Sequence, residues 1–470
     1  MADKLQRLID SLDQREKSYI RHEISVGGKA ETSVYVQIYD YYTGRKKIMV
    51  DEIRHYSRMK SYLIDLLEEI LVRYHSGNVP GIRKRTEISR FEMMHLRGLL
   101  HEANPGKLIG RKDADAVLAI DRLNWIKRMS FSDGNVKGYR DAIDRQMDLM
   151  DDMNEYYRLE YVYCEVYELS LRKKEISDRQ LEKHALKLLK NPELKSNRKF
   201  RSPNAEILFC RILSILKTYC GDWNASYSWS KLRLHLLEQN KEIIESDPQN
   251  YINALSNIME VSIRIKNDKA FLEYFKTLTV FQVKGTYMNA RKEVRLLINR
   301  LLSSLTFSDY SELEVIAADF ENLKAKYESL VRPDELLEIK YLLIAAYINT
   351  AEFKKAQKEI QLFFQIPKPE VRRDIQNLVR VLNVYVQFRL GNFEYLEYLV
   401  RNTYLYFRKL NDPGEPETII LDHFRKMKEE YSEAGIDNFI ESISSRLKSV
   451  DRDELNHLIS FVFIKKTAEK

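Results

Sequence analysis

A turn recurs about every 43 residues between helix-length amphipathic segments, and this spacing constrains the fold more than any other feature of the chain. Steps of roughly 40 to 47 residues separate the turns at Asp133, Lys174, Gly221, Asn267, Ser308, Ala351 and Gly391. Each turn lies between two segments with the apolar periodicity of an α-helix. Repeated helical hairpins of this kind stack into a solenoid, because a single hairpin cannot bury its own apolar face.

The scarcity of glycine and proline supports this interpretation. The 470 residues include only 15 Gly and 10 Pro, whereas average usage is about 7% and about 5%. Proteins built from strands and tight turns need both residues at their turns. The sequence therefore predicts an all-α protein, and the repeated turns predict a right-handed α-solenoid of helical hairpins.

Three parts are predicted along the chain: a helical module over 1–80, the hairpin solenoid over 81–410, and capping helices over 411–470. The module has predicted helices at 3–10, 15–24, 33–42 and 51–77, and the segment 11–14 has the pattern of a capping box, with Ser11 as the N-cap. A cluster of Asn, Asp, Pro and Gly at 411–416 breaks the repeat. The helices predicted after it, at 418–432, 437–447 and 452–465, would cover the last apolar face of the array.

Within the solenoid, one hairpin is predicted to pair a helix over 341–350 with one over 353–364, and another pairs 379–390 with 393–410. The run Tyr347-x3-Ala351-x-Phe353-x2-Ala356 resembles the turn and packing signature of tetratricopeptide repeats. Gly391-Asn392-Phe393 and Gly221-Asp222-Trp223 are similar to it. The period exceeds the 34 residues of that family, so the chain resembles a divergent relative with longer helices. The patterns at 8–20 and 62–67 also resemble a bacterial helical-repeat family, which implies an architecture and no activity.

A polar stripe follows the first helix of several hairpins. Its members recur at helical spacing and so share one face; they are Asn253, Asn257, Glu260 and Arg264, then Lys292, Arg295, Asn299 and Ser303, then Gln376, Arg380, Asn383 and Gln387. Tyr163 and Tyr167 have a similar register. The resemblance to tetratricopeptide repeats implies that this face lines a concave groove. There, amides would hold the backbone of an extended peptide and arginines its carboxylates. The alternative is a polar face that only contacts water.

No catalytic motif accompanies this stripe. Glycine-rich phosphate loops, HExxH and GxSxG patterns are absent from the sequence. Two Glu-x-x-His pairs, at Glu92 and His95 and at Glu454 and His457, have metal-ligand spacing but lie far apart in the chain. We therefore expect neither an enzyme nor a cofactor or metal site.

Charge and cysteine usage bear on the partner and the compartment. The 77 basic and 70 acidic residues leave a net charge of +7, spread along the chain rather than concentrated in the basic stripe of a nucleic-acid binder. The three cysteines have no CxxC pairing, and we expect them to be buried free thiols. The amino terminus is charged, and no apolar run is long enough to span a bilayer. We expect a cytoplasmic protein without membrane contact.

Two functions are compatible with these observations. The favoured hypothesis is a non-catalytic scaffold that binds a protein or peptide segment in the concave groove. The alternative is a regulator linked to transcription or RNA, in which a helix-turn-helix within 1–80 binds nucleic acid and the solenoid acts as a sensor.

Overall fold

The computed structural model describes residues 4–26, 33–45, 53, 55–77, 79–97, 116–172, 178–195, 199–327, 330–366 and 372–409, together with the single positions 421, 422, 442 and 445. Within these ranges all regular secondary structure is helical. The predicted all-α class is confirmed.

Nineteen α-helices occur in the described parts of the chain. The first five are α1 (Lys4–Asp10), α2 (Gln14–Val26), α3 (Val34–Tyr42), α4 (Tyr56–His75) and α5 (Pro80–Leu96). Further along are α6 (Ala116–Ser132), α7 (Val136–Arg172), α8 (Asp178–Leu188), α9 (Pro203–Tyr219), α10 (Trp223–Gln239), α11 (Lys241–Ser246) and α12 (Pro248–Arg264). The remainder are α13 (Asp268–Val280), α14 (Thr286–Phe307), α15 (Leu313–Tyr327), α16 (Pro333–Asn349), α17 (Phe353–Phe364), α18 (Arg373–Arg389) and α19 (Phe393–Lys409).

Helices α1 to α4 surround a hydrophobic core of their own. Leu5, Ile20, Tyr39 and Leu67, one from each helix, are fully buried in it. An ion pair 3.0 Å long between Arg21 Nε and Asp40 Oδ1 also joins α2 to α3. Each predicted helix of this region overlaps an observed one, although α4 begins at Tyr56 rather than near residue 51.

The predicted cap of α2 was wrong by two residues. Asp13 is the N-cap, and its carboxylate accepts a hydrogen bond from the Glu16 backbone N–H at 2.8 Å. The Glu16 carboxylate accepts one in return from the Asp13 backbone N–H at 2.7 Å, which completes the capping box. Ser11 instead donates its hydroxyl to the Leu8 carbonyl of α1. Serine and aspartate are both good N-caps, so the residue type alone could not decide between the two positions.

From α6 onward, helices pack against their neighbours in the chain and against the next helix but one. Helices α9 and α10, α12 and α13, α14 and α15, α16 and α17, and α18 and α19 form antiparallel pairs, and α12, α14, α16 and α18 contact one another in succession. The largest core lies among α14 to α19. It includes Leu301, Phe320, Ile344, Phe363 and Phe388.

Several hairpins share one turn geometry. Of the seven turns expected from the sequence, six fall between consecutive helices, while Lys174 lies outside the described residues. All six turns contain a residue in the left-handed conformation, and five of these residues share one hydrogen-bond pattern; they are Gly134, Gly221, Lys266, Ala351 and Gly391, the sixth being Ser308. At each of the five, the residue's N–H donates to the carbonyl three positions back, and the next N–H donates to the carbonyl five positions back. This pattern satisfies carbonyls at the end of the first helix before the second begins.

The breaker cluster at 411–416 and the three helices expected after it lie outside the described residues, apart from isolated positions. Among the helices that the structure describes, none combines the length and apolar character needed to cross a lipid bilayer.

The three thiols have different surroundings. All are free, but only Cys210 is buried, whereas Cys220 is partly exposed and Cys164 is exposed on α7. The expectation of three buried thiols was therefore wrong for Cys164 and is met only in part by Cys220. Burial raises the pKa of the Cys210 thiol to about 12.

Candidate functional site

Polar contacts join α12, α14 and α16 along one side of these helices. Asn299 of α14 is 1% exposed, and its Nδ2 donates to Ser256 Oγ of α12 at 3.0 Å. One turn earlier on α14, Arg295 Nη2 lies 3.5 Å from Glu335 Oε1 of α16. These side chains thus form a polar connection across α12, α14 and α16, which pack side by side.

The connection continues to α18 through Glu338. Its carboxylate lies 3.1 Å from Arg372 Nη1, just before α18, and its side chain is 31% exposed. Burial and the negative charge of Glu260 on α12 raise the pKa of Glu338, against the opposing effects of Arg372 and Arg295. We call the set Asn253, Asn257, Glu260, Arg295, Asn299, Glu335, Glu338 and Arg372 the polar band.

Arginine outnumbers glutamate around Glu335. This carboxylate is 2% exposed and contacts the guanidinium groups of Arg291, Arg295 and Arg332. Arg291 is itself 5% exposed, so part of this cluster is desolvated. Asp334 Oδ2 also lies 2.7 Å from Arg332 Nη2, so two carboxylates face the three guanidinium groups of this cluster.

A second group of arginines lies among α7, α9, α10 and α12. Arg233 is 1% exposed and donates to Asn250 Oδ1 at 2.5 Å. Burial, and then the nearby charge of Arg211, lower the pKa of Arg233 to about 9. The Arg211 guanidinium lies 4.3 Å from the centroid of the Tyr163 ring. Among the described residues, neither arginine has a carboxylate within ion-pair distance, although the negative charge of Asp247 acts on Arg233.

The predicted site residues of α12 have different environments. Asn253 accepts a hydrogen bond from Gln249 Nε2 at 3.0 Å, whereas the half-buried Asn257 amide has no partner among the described residues. The Arg264 guanidinium lies 5.5 Å from the Trp223 ring centroid, and burial lowers its pKa. Asn257 is therefore the member of this helix with the most hydrogen-bonding capacity left for a ligand.

On α14, Lys292 is committed to a structural contact. Its Nζ donates to the Phe281 carbonyl at 3.0 Å and to the Thr279 carbonyl at 3.3 Å, at the end of α13. A lysine in this position satisfies carbonyls that have no partner within their helix. Its half-buried side chain joins α14 to α13 rather than extending freely into solvent.

The predicted residues of α18 lie apart from those of α12 and α14, because α16 packs between α14 and α18. Gln376 is half-buried. The Arg380 guanidinium lies 4.0 Å from the Tyr406 ring centroid on α19 and 5.2 Å from that of Phe364 on α17. Asn383 and Gln387 line a cleft of about 970 Å³ between α17 and the start of α19. Of the ten predicted residues, Asn253, Asn257, Arg295 and Asn299 belong to the polar band and Asn383 and Gln387 line this cleft, while Arg264, Lys292, Gln376 and Arg380 belong to neither.

Sequence reasoning missed Glu335 and Glu338 because it began the first helix of this hairpin near residue 341. The structure begins α16 at Pro333, with both glutamates in its first two turns. A proline at the first helical position followed by acidic residues is a recognised helix start. That signal was present in the sequence and could have placed both carboxylates on the helix.

Among the described residues, no cluster of three or more His, Cys, Asp or Glu side chains has a geometry able to hold a metal ion. Glu454 and His457 lie outside those residues. Comparison of the chain with protein-family models, with curated proteins and with solved structures finds no match.

Proposed function

We propose that this protein is a non-catalytic interaction scaffold, in which a right-handed solenoid of tetratricopeptide-like hairpins binds a peptide segment of a partner protein along the first helices of the hairpins. The observation that carries the proposal is the polar band, in which polar contacts join α12 to α14, α14 to α16, and α16 to the start of α18. A ligand lying along this band would meet the members that reach solvent, whereas Asn299 and Glu335 are buried and only support them.

The solenoid part of the proposal is supported by the packing of alternate helices. Helices α12, α14, α16 and α18 contact one another in succession, and each pairs with the helix that follows it. Five hairpins also share the same turn geometry, which favours a similar angle between the two helices of each pair. Repetition of one pairing and one turn is what a solenoid requires.

Partial exposure supports binding along the polar band. The side chains of Arg295 and Glu338 are 28% and 31% exposed, so each reaches solvent while being held by neighbours. Held side chains lose little additional entropy when a ligand binds, which favours affinity. The amide of Asn257 offers both a donor and an acceptor to a peptide main chain.

Partly exposed arginine favours a partner segment with acidic side chains. Arg295 in the polar band is 28% exposed, and Arg211 and Arg233 have no ion-pair partner in the described parts of the chain. A carboxylate on the ligand would gain charge-assisted hydrogen bonds from such an arginine. The three unpaired thiols support a reducing, cytoplasmic setting.

Site-specific photocrosslinking in the native host tests the proposal. A photoreactive amino acid replaces Asn257 in the polar band or, as the matched control, the exposed Glu273 on α13. We expect position 257 to crosslink a defined protein after nuclease treatment and position 273 not to. Adding Arg295→Gln should weaken the crosslink, because Arg295 is the partly exposed arginine that would pair with a ligand carboxylate; an unchanged melting temperature would show that the variant is folded. Equal crosslinking at both positions, or products that disappear with nuclease, would contradict a peptide-binding band.

A further inference from the structure

The cleft between α17 and α19 has an unusual lining. Twelve residues line it, and half of them carry side-chain amides: Gln357, Gln361, Gln365, Asn383, Gln387 and Asn392. Only one lining residue, Glu394, is charged. Its volume of about 970 Å³ is sufficient for several residues of a peptide. It lies on α17, α18 and α19, and no member of the polar band lines it.

The amides on the floor of the cleft are held in fixed orientations. Gln387 is 5% exposed, and its Oε1 accepts from Asn392 Nδ2 at 2.7 Å and from Gln357 Nε2 at 3.4 Å. Its Nε2 donates to Asn383 Oδ1 at 3.4 Å. These bonds leave Gln357 Oε1 and Asn383 Nδ2 without partners among the described residues. The floor therefore offers a ligand one acceptor and one donor in defined positions.

Along one wall of the cleft, formed by α17 and the residue after it, side-chain amides recur at a spacing that suits an extended peptide. Gln357, Gln361 and Gln365 follow one another at intervals of four residues, which corresponds to about 6 Å per step along a helix. An extended chain advances about 6.6 Å per two residues. The three glutamines can therefore bond to main-chain groups of alternate residues in one strand. Gln361 and Gln365 are exposed and have no partner in the described structure.

Aromatic rings on both walls add apolar contact. Phe364 on α17 is 42% exposed and Tyr395 on α19 is 48% exposed. Rings of this kind contribute contact area at low entropic cost. We propose that the cleft is a second binding site, which takes an extended, uncharged peptide segment of a partner through its main-chain amides. This site is separate from the polar band, and neither proposal depends on the other.

Selection from a random octapeptide display library against the full-length chain tests this proposal. Selected peptides are synthesised and their affinities measured by fluorescence anisotropy with three proteins. These are the unaltered chain, the cleft variant Gln361→Ala with Gln365→Ala, and the control variant Lys354→Ala with Lys358→Ala. Both pairs are exposed on the same segment, so neither variant is expected to unfold.

We expect uncharged peptides that bind the unaltered chain and the control equally, and the cleft variant about tenfold more weakly, since two hydrogen bonds are lost. Methylation of alternate peptide nitrogens should abolish binding. Recovery of no peptide, or of peptides insensitive to the cleft variant, would overturn the proposal. An Asn257→Leu variant should retain octapeptide binding, which distinguishes failure at the cleft from failure at the polar band.

Discussion

At the scale of single residues, the hairpin turns show how one backbone geometry is met by different side chains. The left-handed position is occupied by glycine at Gly221 and Gly391 but by Lys266 and Ala351 elsewhere. A side chain in this conformation costs about 1 kcal/mol, because its Cβ crowds the backbone. The turns at Lys266 and Ala351 are therefore less favourable than they could be.

Exchanging glycine and alanine at this position should change stability in opposite directions. Gly221 has a φ of +69° and space for a Cβ, so Gly221→Ala should lower the free energy of unfolding by about 1 kcal/mol through backbone strain alone. Ala351→Gly, at a φ of +61°, should raise it by a smaller amount. Urea denaturation measures both. Gly77→Ala is the control, since Gly77 has similar space without a positive φ and should show no loss.

Glu338 should make stability depend on pH. Its pKa in the folded protein is raised above the ordinary value of 4.5 by burial and by Glu260. The folded state thus holds the proton more tightly than the unfolded state, and the stability contributed at low pH is lost as the pH rises through the folded pKa. Relative to Glu338→Gln, the unaltered chain should lose melting temperature as the pH rises above about 4.5, until it has passed the raised pKa of the folded state. A difference that stays constant across this range would contradict the prediction.

At the scale of helices, sequence periodicity located elements better than it located their ends. Apolar periodicity on either side of a recurring turn predicted the helices that became α18 and α19, because a buried apolar face leaves a strong repeat. The ends of helices depend on single capping residues, and the residue that caps α2 is Asp13 rather than Ser11. Most residues of the candidate stripe could be assigned to helices. The contacts of each side chain, however, depend on how the helices pack, and a local sequence pattern does not predict that packing.

Arg380 illustrates this dependence. Predicted as a ligand-binding residue, it lies against Tyr406 and Phe364 and so contacts both helices beside α18. Arg380→Ala should lower the free energy of unfolding by about 1 to 2 kcal/mol, as two cation–π contacts are lost. Thermal denaturation compares it with Arg401→Ala, an exposed arginine on α19 whose removal should have almost no effect. Equal stability of the two variants would show that the ring contacts contribute little.

At the scale of the whole molecule, composition and the recurring turns were enough to predict an all-helical protein, since both act through every hairpin at once. The packing of alternate helices depends on contacts between residues far apart in sequence. The same is true of the cleft that α17, α18 and α19 line. Three amides of that cleft were not singled out from the sequence: Gln357 and Gln361 lie on α17, the second helix of its hairpin, and Gln365 follows directly after it. Sequence reasoning searched only the first helices.

The scaffold proposal also predicts how the full chain behaves with nucleic acid. Its 77 basic residues are nearly balanced by 70 acidic ones, so few phosphate contacts could form together. We expect fluorescence anisotropy to detect no binding of duplex DNA or single-stranded RNA at about 150 mM salt. Tight binding that weakens steeply with added salt would instead favour the regulator hypothesis and direct attention to residues 1–80.

The three thiols differ in exposure, so one of them can be labelled selectively. Cys210 is buried with a raised pKa, and burial likewise raises the pKa of the partly exposed Cys220, while Cys164 faces solvent. A maleimide dye at neutral pH should therefore label Cys164 first, since reaction needs both access and thiolate. The neighbouring residue, Tyr163, holds the Arg211 side chain. A fluorophore attached to Cys164 of the unaltered chain would lie one residue from Tyr163, and its emission should change when an acidic ligand binds near Arg211.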